Sequence, residues 1–156
     1  MMDMLVRLYD LPDIEEDLRR LEREGFLIRR PGAYERHLVA DWVGRNFSPK
    51  WVSEAKVAFG RQPISCYIAT REKKILGFAC YDVTARGFLG PMGVAEEVRR
   101  SGLGTVLLIS ALKGLRELGY AYGVIGGGGG GGFFLGGGGG GGVWGGPPRG
   151  GWGRPG

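Results

Sequence analysis

The chain is short of the residues that hold metals: 156 residues include only 2 cysteines and 1 histidine. They could fill a four-ligand zinc site only with help from carboxylates, and no ligand-like spacing joins them, so no metal is expected. Long apolar runs are missing too. The longest, Thr105 to Leu112, falls far short of the ~20 residues that span a bilayer. The N-terminus carries Asp3 and Asp10 and has no long apolar core, which argues against a secretory signal. A cytoplasmic, membrane-free protein is expected. Positive charge is in modest excess: a net +5 is too mild for nucleic acid but suits a small anionic ligand.

Glycine is what the chain has in abundance, and it is unevenly spread. Of 33 glycines, 20 lie in the last 31 residues and 13 in the first 125. The 43% hydrophobic and 24% charged composition therefore joins two regions: an ordinary body over 1–125 and a low-complexity tail over 126–156. Within 126–142, 14 of 17 residues are glycine, the others being Phe133, Phe134 and Leu135. Ordering that backbone costs more than burying three side chains returns, so no stable helix is expected there. The tail's alphabet, Gly, Phe, Leu, Val, Trp, Pro and Arg, can be encoded without adenine, which points to altered nucleotide sequence. A flexible linker and an RNA-binding tail around Arg149-Gly-Gly with Trp144 and Trp152 are the alternatives.

Along the body, Met4 to Tyr9 reads as a strand. Asp13 with Glu16 forms a capping-box pattern ahead of a helix with Ile14, Leu18 and Leu21 on one face. Glu15/Arg19 and Glu16/Arg20 are favourable pairs on its wet side, and Gly25 ends it. A second helix is predicted from about Tyr34 to Phe47, burying Leu38, Val39, Trp42 and Val43, and a third from Pro49 to Phe59. Ile64–Thr70 and Ile75–Thr84 form a hairpin about the turn at Arg71–Lys74. Phe88 to Val94 is the next strand, Gly102 to Leu118 a long apolar helix stopped by Gly119, and Tyr120 to Ile125 a further strand. Strands on either side of one buried helix imply a β-α-β unit attached to an antiparallel meander.

The informative stretch is Gly90-Pro-Met-Gly-Val-Ala-Glu-Glu-Val-Arg-Arg-Ser-Gly-Leu-Gly104, directly before the apolar helix. Glycines let successive backbone N–H groups converge on an anion, and a helix N-terminus adds unpaired donors. No Lys-Ser or Lys-Thr follows, which excludes a P-loop. The dinucleotide fingerprint fails as well, because Leu107 stands where its third glycine belongs. A tight strand-to-helix turn with no ligand is the plainer account of Gly-x-Gly alone.

In context, Arg99-x-x-Gly102-x-Gly104 after a strand, together with Phe88–Val94 and Leu118–Gly127, resembles the acyl-CoA-binding core of the GNAT-superfamily N-acetyltransferases. The resemblance implies an α/β fold with a mixed, mostly antiparallel sheet and a central β-α-β acyl-CoA-binding unit. It implies acetyl-CoA as co-substrate and direct attack by a primary amine of an unidentified acceptor. Met92, Gly93 and Val94 would contact the pantetheine and thioester, and a backbone N–H near Val94 would polarise the carbonyl. Arg99, Arg100, Ser101, Gly102, Leu103, Gly104 and Thr105 would wrap the pyrophosphate. Arg100 and Ser101 depart from the small-then-basic pair common there. Pro91 and Gly93 suit a bulged strand facing a ligand. The family's usual acid, a tyrosine in a Phe-Tyr pair, falls on Phe134, which has no hydroxyl. A non-catalytic acyl-CoA-binding module is therefore the alternative reading, and a homodimer is one open oligomeric state.

The base is unassigned. Asp82 is one candidate; Glu96 and Glu97 are others, with solvated loop carboxylates as their plain alternative. His37 reads as a helix-flanking residue, Trp42, Phe47 and Trp51 as core, and Cys66 and Cys80 as reduced thiols facing each other across the hairpin.

Overall fold

A computed structural model describes residues 3–126 and the pair 152–153. Strand β1 (Met4–Arg7) stops sooner than predicted, because Leu8–Asp10 winds into a 3-10 turn that buries Leu8. Helix α1 spans Glu15–Arg23. Its start differs from the expected capping box: Ile14 is the N-cap and the Asp13 carboxylate accepts the Glu15 N–H at 2.9 Å. Glu15 pairs with Arg19 as predicted, at 3.1 Å, whereas Arg20 turns from Glu16 to Glu24 at 2.9 Å. Leu27–Arg29 forms β2 against the next strand, a pairing its two polar-flanked apolar residues did not announce.

Helix α2 (Arg36–Asn46) follows a 3-10 turn at Ala33–Glu35 and buries Val39, Trp42 and Val43. Leu38, expected on that face, is 49% exposed because it points into an open cleft. Helix α3 (Pro49–Ala58) is set by Ser48, whose hydroxyl accepts the Trp51 N–H, and by Pro49, whose missing N–H costs nothing in the first turn. The hairpin is β3 (Cys66–Arg71) and β4 (Lys74–Tyr81), with Glu72 and Lys73 both left-handed in the two-residue turn. Then come β5 (Phe88–Val94), α4 (Leu103–Glu117) and β6 (Tyr122–Ile125).

The strand order is β2-β3-β4-β5-β6-β1, extended beyond β1 by the two-residue β7 (Trp152–Gly153). Among the described strands only β5 and β6 run parallel, and α4 joins them, which gives the expected mixed, mostly antiparallel α/β architecture. Neighbouring residues of β4 show the two layers. Gly77 faces α4, where an added Cβ would lie 2.7 Å from Leu107 Cδ1. Phe78 faces the other way, into rings from α2, α3 and the segment between them: Trp42 and Trp51 each at 6.0 Å and Phe47 at 5.8 Å between centroids. Most of α4 is buried, because the sheet takes one side and α1 packs beside it. The aromatic group is core, as read.

Candidate functional site

The site is built on the edge of β5 that faces β6, which among the described residues has no strand partner past Leu89. Ala95 donates to the Leu76 carbonyl at 2.8 Å, so Leu76 and Ala95 form a hydrogen-bonded pair of the antiparallel ladder. Such pairs alternate, so Phe78 and Gly93 are bonded to each other, while Val94 opposite Gly77 and Met92 opposite Ala79 are not. Met92 and Val94 therefore direct their N–H and C=O groups away from β4, toward the β6 side. There β6 pairs only with Phe88 and Leu89, through Val124 and Ile125. From Gly90 onward, β5 has no strand partner on that edge among the described residues. The ladder shifts register opposite this point, between Ala79 and Tyr81, which accommodates Pro91. Gly93 is the exception in its trio: its bare face lies under Phe47, where an added Cβ would sit 2.3 Å from Phe47 Cζ.

After Val94 the chain makes a 3-10 turn at Glu96–Val98 and enters α4 through Gly102, the N-cap, at φ +88°. An L-residue rarely holds that conformation, so glycine is required by the turn itself. Two side chains lock the loop. Arg99 Nε donates to the Val94 carbonyl at 3.2 Å. The Ser101 hydroxyl donates to the Val98 carbonyl at 2.6 Å and accepts the Leu103 N–H at 3.2 Å. Among the described residues, the backbone N–H groups of Gly102, Gly104 and Thr105 have no such acceptor. They lie at the positive end of a fifteen-residue helix. Leu103 is buried and holds the loop to the core, while Arg100 and Thr105 stand in solvent.

A residue that sequence reading did not find stands over this loop. A Cβ added at Gly102 would lie 2.7 Å from an Arg20 Nη2, brought there by α1 from more than eighty positions earlier. No local pattern signals a contact of that separation.

The other candidates lie elsewhere. Asp82, left-handed at φ +58°, accepts the Gly87 N–H at 2.7 Å and the Tyr120 hydroxyl at 2.9 Å. It closes the β4–β5 turn at the Leu89 end of β5, about 17 Å along the strand from Val94. Burial and the Asp82 hydrogen bond both push the Tyr120 phenol upward. Glu96 and Glu97 are exposed. Cys66 and Cys80 are buried, free and opposed in register, and contact with Cys66 together with burial raises the Cys80 thiol well above its usual range. Phe134, where the family's acid would fall, lies outside the described residues.

A cleft of about 990 Å³ opens between α2 and the β3–β4 turn, with Trp42, Leu38, Leu76 and Glu97 in its walls. None of the residues from Met92 to Val94 or from Arg99 to Thr105 lines it. One wall is the Arg29–Glu35 pair, where two hydrogen bonds from Arg29 and one from the Gly32 N–H hold the Glu35 carboxyl at about 2. No group of three or more metal-ligating side chains comes together among the described residues, and no described helix is long and apolar enough to cross a membrane.

Among the described residues, then, a strand whose edge has no strand partner past Leu89 runs through a turn to a glycine N-cap and a helix whose first N–H groups have no acceptor, an arrangement suited to an anion. The sequence matches the profile of the acetyltransferase (GNAT) family over residues 14–125, and the chain belongs to that family. No curated protein matches it significantly. Among solved structures, it is similar to a GCN5-related glucosamine N-acetyltransferase region of a fungal multi-domain β-N-acetylglucosaminidase, at TM-score 0.64 and 18% identity over 80% of this chain and 17% of that one. It is also similar to the C-terminal domain of a protein from Agrobacterium fabrum described as a lysylphosphatidylglycerol synthetase, at TM-score 0.52 and 18% identity over 80% of this chain and 46% of that one. A Drosophila protein matches at TM-score 0.53 and 15% identity, over 79% of this chain and 39% of that one. The chain thus spans less than half the length of each, and at these identities the likeness is one of fold.

Proposed function

We propose that the chain is an acetyl-CoA-dependent N-acetyltransferase that delivers the acetyl group to a primary amine, with residues 1–125 forming the acyl-CoA-binding unit. The observation that carries this is the continuity of the edge. The outward-facing N–H and C=O of Met92 and the N–H of Val94 lie on the strand that runs, through one turn, to Gly102, Gly104 and Thr105, whose N–H groups have no acceptor among the described residues. The edge suits the amides of a pantetheine arm, and the helix N-terminus suits its pyrophosphate. Hydrogen bonds to a charged group contribute ~1.5–3 kcal/mol each, so three such donors provide a substantial anchor.

In the reaction the amine nitrogen forms a bond to the thioester carbonyl carbon and the carbon–sulfur bond breaks. The amine gives up its proton, and the departing CoA sulfur gains one. Val94 contributes its N–H to the carbonyl oxygen as charge develops there. Loss of one donor of this kind costs ~2.7–4 kcal/mol in other enzymes. With Phe134 at the position of the family's acid, the sulfur takes its proton from water in this chain, so that turnover suffers while binding does not. We place the protein in the cytoplasm, where Cys66 and Cys80 stay reduced.

Phe134 also favours a second reading, an acyl-CoA-binding module without turnover. Release of free CoA thiol from acetyl-CoA, followed across a panel of primary amines, separates the two. Turnover above the no-amine rate with any amine, raised further by Phe134→Tyr, supports the enzyme. Binding with no turnover in either form supports the module.

A further inference from the structure

α1 brings a cation beside the N-cap of α4: Arg20 Nη2 lies 2.7 Å from where a Cβ of Gly102 would be. The Arg20 guanidinium is held by one arm: Nη1 is bonded to Glu24 at 2.9 Å. Its other arm, Nη2, has among the described residues only Asp17 at 4.0 Å, beyond hydrogen-bond range, and faces Gly102. The side chain is 39% exposed, so a ligand reaches it from solvent. A guanidinium presents its donors in a planar fork that matches phosphate oxygens, which a lysine at the same place does not reproduce.

We propose that Arg20 is a phosphate-binding residue of the acyl-CoA site: Glu24 holds Nη1, and Nη2 closes over a phosphate of the CoA seated on Gly102, Gly104 and Thr105. This rests on the acyl-CoA reading of the site. The geometry also accounts for Gly102 beyond its backbone conformation. Any side chain there would meet the arginine and come between it and the loop.

The test is calorimetric titration of the full chain, as wild type, Arg20→Ala and Arg20→Lys, with acetyl-CoA and with S-acetyl-pantetheine, which has no phosphate. Arg20→Ala should bind acetyl-CoA about tenfold to a hundredfold more weakly, the loss of one charge-assisted contact, with Arg20→Lys in between. The fall of affinity with added salt should become shallower in Arg20→Ala. Affinity for S-acetyl-pantetheine should not change, whereas a merely structural role for Arg20 would weaken both ligands together. Equal acetyl-CoA affinity in wild type and Arg20→Ala would overturn the proposal and leave the site reading standing. A folded wild type that binds no acetyl-CoA would overturn both.

Discussion

Gly93→Ala adds one methyl group at a place where the structure has no room for it. The new Cβ would lie 2.3, 2.7 and 2.9 Å from three atoms of the Phe47 ring, so the ring must retreat by more than an ångström to reach ordinary contact. It cannot do so freely. Phe47 is wedged against Trp42 at 5.6 Å, Trp51 at 4.9 Å and Phe78 at 5.8 Å between centroids. Gly93 cannot yield either, since its pairing with Phe78 fixes the strand. Overpacking of this kind costs about 1–3 kcal/mol, and a rigid aromatic cluster places the substitution at the upper end. Urea denaturation followed by tryptophan fluorescence should show a midpoint lower by about 1 M at unchanged slope. Phe47→Leu should relieve the clash, so the double variant should be less destabilised than the two single costs together, by about 1 kcal/mol or more. A Gly93→Ala midpoint equal to that of wild type, or strict additivity in the cycle, would show that Phe47 does not cover Gly93.

Acid should weaken the fold through Glu35. Arg29 is the main cause of its depressed carboxyl, about 2 against the usual 4.5, so this stabilisation is complete above pH ~4.5 and is lost as pH falls toward 2. The shift corresponds to at most about 3 kcal/mol, and screening at Arg29, which is 35% exposed, reduces it to about 1–2. Thermal melts from pH 6 to pH 2.5 should show a steeper decline for wild type than for Glu35→Gln, and parallel curves would contradict the assignment. Asp82→Ala should cost about 1–3 kcal/mol of stability by leaving the Gly87 N–H and Tyr120 hydroxyl without their acceptor. A hundredfold or greater loss of turnover in an Asp82→Ala chain that remains folded would instead make Asp82 the base.

Much of the frame could be read locally. The helix read from Pro49 to Phe59 was legible, within a residue of Pro49–Ala58, because Pro49 opens it and Arg61-Gln-Pro63 closes it. The loop through Gly102 was legible because glycine spacing reports backbone conformation directly. Features decided by partners far along the chain were not. Leu27–Arg29 is a strand because β3 offers it an edge, not because three residues prefer extension. Leu38 has the right helical spacing for burial, yet the cleft beside it leaves the side chain uncovered. Arg20 looked like the partner of Glu16, and only the placement of α1 beside α4 brings it to Gly102. Asp82, a candidate base by type, proves to have its carboxylate turned onto Gly87 by a left-handed backbone that no local pattern announced.

The central claim, that the start of α4 and the β5 edge hold acetyl-CoA, is tested most directly by calorimetric titration of the wild-type chain and of Gly104→Glu. A glutamate in the first turn of α4 is favourable to the helix, so the variant should fold while placing a negative side chain where the pyrophosphate belongs. Micromolar binding of acetyl-CoA by the wild type, abolished in Gly104→Glu, is the predicted result. A folded wild type that does not bind, or a Gly104→Glu chain that binds equally well, would contradict it.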